Sequence, residues 1–172
     1  MLRLNRPAFF AAAALTACAS AAAAQTFSYT EGRAEIPDAD PSGVAVAIDV
    51  SGLSGTIQDL NVSIDAVGVP SNILGDEANG LDHPHPADLK ITLISPAGTT
   101  VDLADRIPLG ENDRNFSNTL FDDEASDPLR WSLNEAPWQG AYQPAGSLGD
   151  FDGEDPNGTW TLLVADLSEG DT

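Results

Sequence analysis

The chain has 172 residues and a formal net charge of −20, with 27 acidic residues, 7 basic residues and one cysteine. This balance excludes proteins that bind nucleic acid or an anionic membrane surface through a basic patch, because few cations are present to displace counterions from phosphates. A single cysteine excludes an intramolecular disulfide framework, so stability has to come from packing or from bound ions. The acidity is typical of a solvated surface, and it also favours binding of divalent cations.

The first 24 residues have the pattern of a secretory signal peptide. Arginines precede an apolar run and then small residues, and the run is far shorter than the roughly 20 residues of a membrane span. Cleavage after Ala24 predicts a secreted or periplasmic protein whose residues 25–172 form one domain. In the alternative interpretation, Leu15–Cys18 is a lipobox, and the mature protein is anchored by a lipid on Cys18.

Short apolar runs between Gly, Pro, Asn and Asp predict the strands. In chain order they are VAVAIDV from Val44, TIQDLNVSIDAVGV from Thr56, ADLKITLI from Ala87, TTVDLAD from Thr99, LRWSL from Leu129 and TWTLLVADL from Thr159. This pattern indicates an all-β protein with an antiparallel sandwich or jelly roll. Residues 70–86 and 110–127 are predicted to be long polar loops, where binding would be expected.

Turn and strand chemistry give further expectations. Ser95–Gly98 is predicted to be a tight hairpin turn, since its proline presets φ and its glycine tolerates positive φ. Alternation along the strands predicts which residues face the core. The predicted inward-facing residues are Leu89, Ile91 and Leu93 of the third run and Trp160, Leu162 and Val164 of the last.

Two segments carry specific motifs: DLKITLISPAGT from Asp88, with His83 five residues before it, and GEDPNGTWTL from Gly153. Their order along the chain resembles the P domain, also called P/Homo B, of kexin- and furin-like proprotein convertases and of secreted bacterial subtilisin-like proteases. The resemblance implies a jelly-roll-like antiparallel β-sandwich of about eight strands. The family's closing strand would follow Thr172. We therefore expect residues 25–172 to be a C-terminally incomplete domain, either a fragment or a sheet with an unpaired edge.

The resemblance implies an exported, non-catalytic module that stabilises a subtilisin-like protease domain or binds a cell-surface protein. No catalytic residue is assigned, because the only histidines are His83 and His85 and no Gly-x-Ser-x-Gly elbow or subtilisin-type serine segment is present. One alternative is a calcium-dependent adhesion or carbohydrate-binding module, since jelly rolls also serve as lectins. Another is a fragment of a serine endopeptidase whose catalytic domain is not in this chain.

Two acidic clusters are the candidate calcium sites, because calcium binds several oxygen ligands. The second cluster fails as an EF-hand: counted from Asp150, the sixth position is Asp155 instead of Gly and the twelfth is Thr161 instead of Glu. An irregular site built from separate loops is the remaining hypothesis. Its candidate ligands are Asp122, Asp123, Glu124, Asp150, Asp152, Glu154 and Asp155.

Other polar and aromatic residues have structural interpretations. His83 is expected to tie its loop to the next strand. Asp88 is expected to cap backbone amides at the strand entry, with calcium ligation as the alternative. Trp131, Trp138 and Tyr142 are predicted to flank a Pro/Gly loop and to pack in the core, with stacking on a sugar ring as the alternative.

Overall fold

The computed structural model describes residues 24–29, 34–65, 80–81, 83, 85–107, 116–129 and 138–170. Within these ranges the regular elements are seven strands and two 3₁₀ helices, and no helix there is long and apolar enough to cross a bilayer. The strands are β1 (Val44–Val50), β2 (Val62–Ile64), β3 (Leu89–Ile94), β4 (Thr100–Asp105), β5 (Phe116–Phe121), β6 (Trp138–Tyr142) and β7 (Gly158–Asp166). The 3₁₀ helices are Pro86–Asp88 and Leu148–Phe151.

The strands form two sheets, which confirms the all-β sandwich. One sheet has four strands in the order β1-β7-β3-β4, and every pair in it is antiparallel. The other has the order β2-β5-β6, and its β5–β6 pair is parallel. This pair is the exception among the described strand pairs to the antiparallel arrangement predicted for the sandwich. A parallel pair requires a crossover connection between its two strands, because both strands run in the same direction.

The core side of the four-stranded sheet is the side predicted from the alternation. Ile91 lies opposite Val164, and Leu93 lies opposite Leu162. Ile91, Leu93 and Val164 are buried, and Leu162 is partly buried against them. The hairpin at residues 95–98 is also confirmed, because the Gly98 amide donates to the Ser95 carbonyl oxygen at 2.9 Å.

Strand β5 corrects the prediction of a polar loop over residues 110–127. Phe116, Thr119 and Phe121 are fully buried within it. Ser117 and Asn118 interrupt the apolar alternation, and Asn118 has a left-handed φ of 54°. The irregular backbone explains why a period of two was not visible in this segment.

Two further strand predictions need correction. Within the described part of the run predicted from Thr56, only β2 is a strand, residues 56–61 are not extended in a sheet, and residues 66–69 lie outside the described residues. The strand predicted from Leu129 begins at a residue that is outside the regular elements, and the rest of that run lies beyond the described residues. Instead, β6 forms from Trp138 to Tyr142, a segment predicted to flank a loop.

Aromatic residues join the elements of the core. The ring centroids of Phe116 and Trp138 lie 4.5 Å apart, which joins β5 to β6. Phe151 meets Trp160 edge to face at 5.1 Å, which joins the second 3₁₀ helix to β7. Each such pair contributes about 1 kcal/mol beyond its buried area. The expectation that Trp138 and Tyr142 pack in the core is confirmed, and Trp131 lies outside the described residues.

Gly43 controls the approach of β1 to β7. It has a φ of 57°, and a Cβ built on it would lie 2.3 Å from the carbonyl oxygen of Val164. Only glycine combines that dihedral with so close an approach of two backbones. The residue therefore allows the chain to enter β1 directly beside β7.

Candidate functional site: buried polar ties and acidic loops

A buried histidine–aspartate pair lies where β7 ends. The Nε2 atom of His83 is 3.3 Å from Oδ2 of Asp166, and the two side chains are 4% and 0% exposed. The atoms lack the alignment of a hydrogen bond, so their contact is electrostatic. His83 was expected to tie its loop to the next strand, β3. The structure places its contact on β7 instead, at the residue paired with Leu89 of β3.

The other ring nitrogen of His83 determines which tautomer is present. Its Nδ1 atom accepts a hydrogen bond from the His85 backbone amide at 3.2 Å. An accepting Nδ1 carries no proton, so the neutral ring holds its proton on Nε2, facing Asp166. The Nδ1 atom is therefore occupied by a hydrogen bond, and the Nε2 atom faces the Asp166 carboxylate without one.

Asp88 makes a second tie beside this pair. Its Oδ1 atom accepts a hydrogen bond from the Ser168 hydroxyl at 2.9 Å, and its carbonyl oxygen accepts one from the Leu167 amide at 3.0 Å. The Ser168 amide also donates to Oδ1 of Asp166 at 3.1 Å. Asp88 was expected to cap amides at the entry of its own strand. Its side chain instead holds the segment after β7.

The cluster contains serine, histidine and aspartate, but its geometry differs from that of a catalytic triad. In a triad the serine hydroxyl hydrogen-bonds to the histidine, which the aspartate orients. Here the Ser168 hydroxyl donates to Asp88, and His83 is buried with its Nδ1 atom accepting from the His85 amide and its Nε2 atom facing Asp166. The arrangement fastens the start of β3 to the end of β7.

Asp123, a candidate calcium ligand, joins two loops through hydrogen bonds. Its carboxylate accepts hydrogen bonds from the Ser147 hydroxyl at 2.8 Å and from the Leu148 and Gly149 amides at 3.0 Å each. Burial raises the pKa of this carboxyl, but these three hydrogen bonds together outweigh burial and leave the pKa below its ordinary value. This contact brings the first acidic cluster beside the second, one residue before Asp150.

The neighbours of Asp123 are exposed or partly exposed. Asp122 accepts a hydrogen bond from the Glu124 amide at 2.8 Å. The pKa of Glu124 is raised, mainly by the hydrogen bond between its carboxyl and that of Asp122. Asp150 and Asp152 are exposed. These carboxylates are accessible to ions, but they belong to different parts of the loops.

Glu154 and Asp155 complete the candidate set. The Thr99 hydroxyl donates to Oε1 of Glu154, whereas Oε2 is buried without a hydrogen-bond partner among the described residues. The backbone and side-chain amides of Asn157 donate to Asp155 and hold the pKa of its carboxyl below the ordinary value. Asn157 also exchanges hydrogen bonds with the backbone of Leu53. These residues secure the turn before β7.

The described residues contain no group of three or more His, Cys, Asp or Glu side chains arranged to hold a metal ion. All seven candidate ligands lie within the described ranges. The structure therefore brings Asp123 and the loop of Asp150 together without collecting the carboxylates at one point. Calcium binding stays a prediction.

On the outer face of the four-stranded sheet, the Asp102 carboxylate accepts hydrogen bonds from two residues of β3. Its carboxylate lies 2.8 Å from the Lys90 ammonium and 2.8 Å from the Thr92 hydroxyl. Burial raises the pKa of Asp102, but the hydrogen bonds from Lys90 and Thr92 outweigh it, so the pKa is lowered. The Lys90–Asp102 pair is more than one third exposed, and such pairs contribute at most about 1 kcal/mol.

Together the fold and these contacts define a small β-sandwich in which buried and partly buried polar side chains join distant segments and His83 is buried. The chain belongs to the proprotein convertase P-domain family, whose family model matches residues 78–172, more than half of the chain. The match covers β3 to β7 and both residues of the His83–Asp166 pair. Comparisons with curated proteins and with solved structures found no match.

Sequence reasoning singled out His83 and Asp88 but missed their partners. Asp166 and Ser168 lie about 80 residues further along the chain, and nothing local marks them as polar ties. Asp166 ends an apolar run, where a carboxylate is normally interpreted as the start of a turn. Only the antiparallel pairing of β3 with β7 brings these residues together.

Proposed function

We propose that the chain is an exported, non-catalytic P/Homo B module that binds a subtilisin-like protease domain and stabilises it. The observation that carries this proposal is the match to the proprotein convertase P-domain over residues 78–172. The matched region contains the polar ties and the aromatic core described above, which suit a rigid folded module.

The non-catalytic part of the proposal is supported by the histidines. Serine-type hydrolysis needs an imidazole that can take a proton from the nucleophile. The chain has two histidines, and His83 is buried, with its Nδ1 atom accepting a hydrogen bond and its Nε2 atom facing Asp166. His85 is exposed at the start of a 3₁₀ helix.

The stabilising role is tested by mixing purified residues 25–172 with a subtilisin-like catalytic domain encoded in the same genome. The thermal midpoint of the catalytic domain is measured by calorimetry with and without the module. Saturation at 100 times the dissociation constant adds about 2.7 kcal/mol, so the midpoint rises by several degrees. An unchanged midpoint at saturating module contradicts the proposal. Serum albumin at the same concentration is the control.

The absence of catalysis is tested by incubating the purified module with labelled casein. We expect no hydrolysis above a buffer blank. Hydrolysis that is retained through purification and lost in His83→Ala or His85→Ala would contradict the non-catalytic assignment.

Export is tested by intact-protein mass spectrometry of the mature product. Cleavage after Ala24 leaves Gln25 as the first residue, whereas lipoprotein processing leaves an acylated Cys18. A mass that retains residues 1–24 in the cytoplasmic fraction would contradict both forms of export.

A further inference from the structure

The two edges of the four-stranded sheet are protected to different extents. At the β4 edge, the Ala145 amide donates to the Leu103 carbonyl oxygen at 3.0 Å, and the Gly146 amide donates to that of Asp102 at 2.7 Å. The β3–β4 pairing also contains a register shift after Ile91. A covering segment and an irregular register are two ways in which proteins prevent another strand from joining an edge. The β4 edge is therefore closed.

The β1 edge has none of these protections in the described part of the chain. All seven residues of β1 pair with β7 in an unbroken register, and no described backbone hydrogen bond leaves β1 on its other side. The strand contains no lysine and no proline, the residues that usually guard an edge. The backbone groups on this side, which pair with no other described segment, form a regular row along Val44–Val50.

The exposed side chains of β1 suit a neighbouring strand. Ala45, Ala47 and Asp49 are exposed and alternate with the partly buried or buried residues that face the core. The two alanines leave room for larger apolar side chains beside them. Asp49, which accepts a hydrogen bond from Thr159 at 2.7 Å, offers a carboxylate for a cation.

Charge determines what kind of strand can approach. Residues 34–65 contain no lysine or arginine. The described cations, Lys90 and Arg106, lie on β3 and just after β4, beside Asp102 and Asp105. A second copy of this chain would therefore bring acidic surfaces together, whereas a basic partner would be attracted. The acidic residues of this segment are Glu35, Asp38, Asp40, Asp49, Asp59 and Asp65.

We propose that the open edge of β1 binds an extended segment of another protein, in which apolar and basic residues alternate. The segment adds a strand to the sheet, its backbone pairs with β1, and its cations lie near Asp49 and Asp40. This inference goes beyond the proposed function, and it holds whether or not the partner is a protease.

The probe is an acetylated and amidated peptide of eight alternating lysines and valines with a fluorescent label. Fluorescence anisotropy at about 150 mM NaCl, where the Debye length is about 8 Å, measures its affinity for the module. A lysine–proline peptide of equal charge is the control for backbone pairing, because proline lacks the amide donor. We expect it to bind at least tenfold more weakly.

Two matched variants locate the binding edge. Ala47 and Thr100 are both exposed and lie in one row across the sheet, through Thr161 and Ile94. Ala47→Lys and Thr100→Lys change the net charge equally, but only Ala47→Lys adds a cation at the β1 edge. We expect Ala47→Lys to weaken binding of the lysine–valine peptide at least fivefold and Thr100→Lys to weaken it less than twofold.

Three outcomes overturn the proposal: no binding of the lysine–valine peptide, equal binding of the lysine–proline peptide, or equal weakening by both variants. The last two would mean that the peptide is held by general charge attraction. Thermal midpoints measured by circular dichroism check that both variants remain folded. Amide NMR shifts confined to residues 44–50 upon titration would support the edge directly.

Discussion

Single residues of this protein connect segments that are far apart in the sequence. His83 and Asp166 illustrate this, since the Asp166 carboxylate is fully buried and the Nε2 atom of the imidazole faces it at 3.3 Å. A buried carboxylate that loses such a partner retains its desolvation cost without compensation. Removing His83 should therefore destabilise the fold through Asp166, although the two residues are far apart in the sequence.

His83→Ala is expected to lower the free energy of unfolding by about 3 kcal/mol, because it leaves Asp166 buried without its partner. A double-mutant cycle with Asp166→Asn, measured by urea unfolding, isolates the interaction. The double variant should be more stable than the sum of the single losses predicts, by about 1 kcal/mol or more. Strictly additive losses would show that the two residues do not interact.

Asp123→Ala is expected to lower the free energy of unfolding by about 2 kcal/mol, because three donors lose a charged acceptor. Asp150→Ala, an exposed neighbour, is the control and should change it by less than about 0.5 kcal/mol. Equal effects of the two variants would contradict the role of Asp123 as a tie.

The lowered pKa of Asp123 also predicts an effect of pH. Its contribution to stability is fully present above the ordinary aspartate pKa of 3.8 and is lost as pH falls through the lower folded value. The wild type should therefore lose more stability than Asp123→Ala between pH 6 and pH 3. Parallel losses in urea titrations at the two pH values would contradict this prediction.

At the scale of elements, strands with regular apolar alternation could be predicted and irregular ones could not. β1, β3, β4 and β7 were all anticipated because their side chains alternate or run apolar without interruption. β5 and β6 were missed because polar residues or glycine interrupt them, and their burial comes from packing against each other. The hydrogen bonds of Asp123 to residues 147–149 could not be predicted for a related reason. In the sequence, a carboxylate that accepts hydrogen bonds from a distant loop cannot be distinguished from any other acidic loop residue.

Gly43→Ala is expected to destabilise the protein by about 2 kcal/mol more than Gly52→Ala. Both glycines have positive φ, but only at Gly43 would a Cβ meet the Val164 backbone, whereas the space beside Gly52 is open. Thermal unfolding of the two variants separates steric overlap from backbone strain. Equal midpoints would show that β1 can shift away from β7 without cost.

For the whole molecule, the formal net charge of −20 is the dominant electrostatic property. Self-repulsion at this charge opposes compaction, and salt weakens it by shortening the Debye length from about 30 Å at 0.01 M to about 10 Å at 0.1 M. We expect the urea midpoint to rise with sodium chloride over this range. A falling midpoint would mean that specific ion pairs outweigh the repulsion.

Calcium is tested in the same experiment at constant ionic strength. A calcium site filled at 100 times its dissociation constant adds about 2.7 kcal/mol beyond the effect of sodium. Magnesium is the matched control, because it prefers a rigid octahedral site and keeps its water. Equal midpoints in calcium, magnesium and sodium would contradict the calcium hypothesis for the candidate carboxylates.

The pairing of β1 with β7 also determines when the protein can fold. Asp49 of β1 and its partner Thr159 of β7 are 110 residues apart in the chain, and β7 separates β1 from β3 in the sheet. The first strand to be synthesised therefore has no neighbour in this sheet until the last described strand is complete. Folds dominated by such distant contacts form slowly, in milliseconds to seconds. The β3–β4 hairpin can form as soon as its two strands are made, but β1 can join this sheet only after β7 has been synthesised.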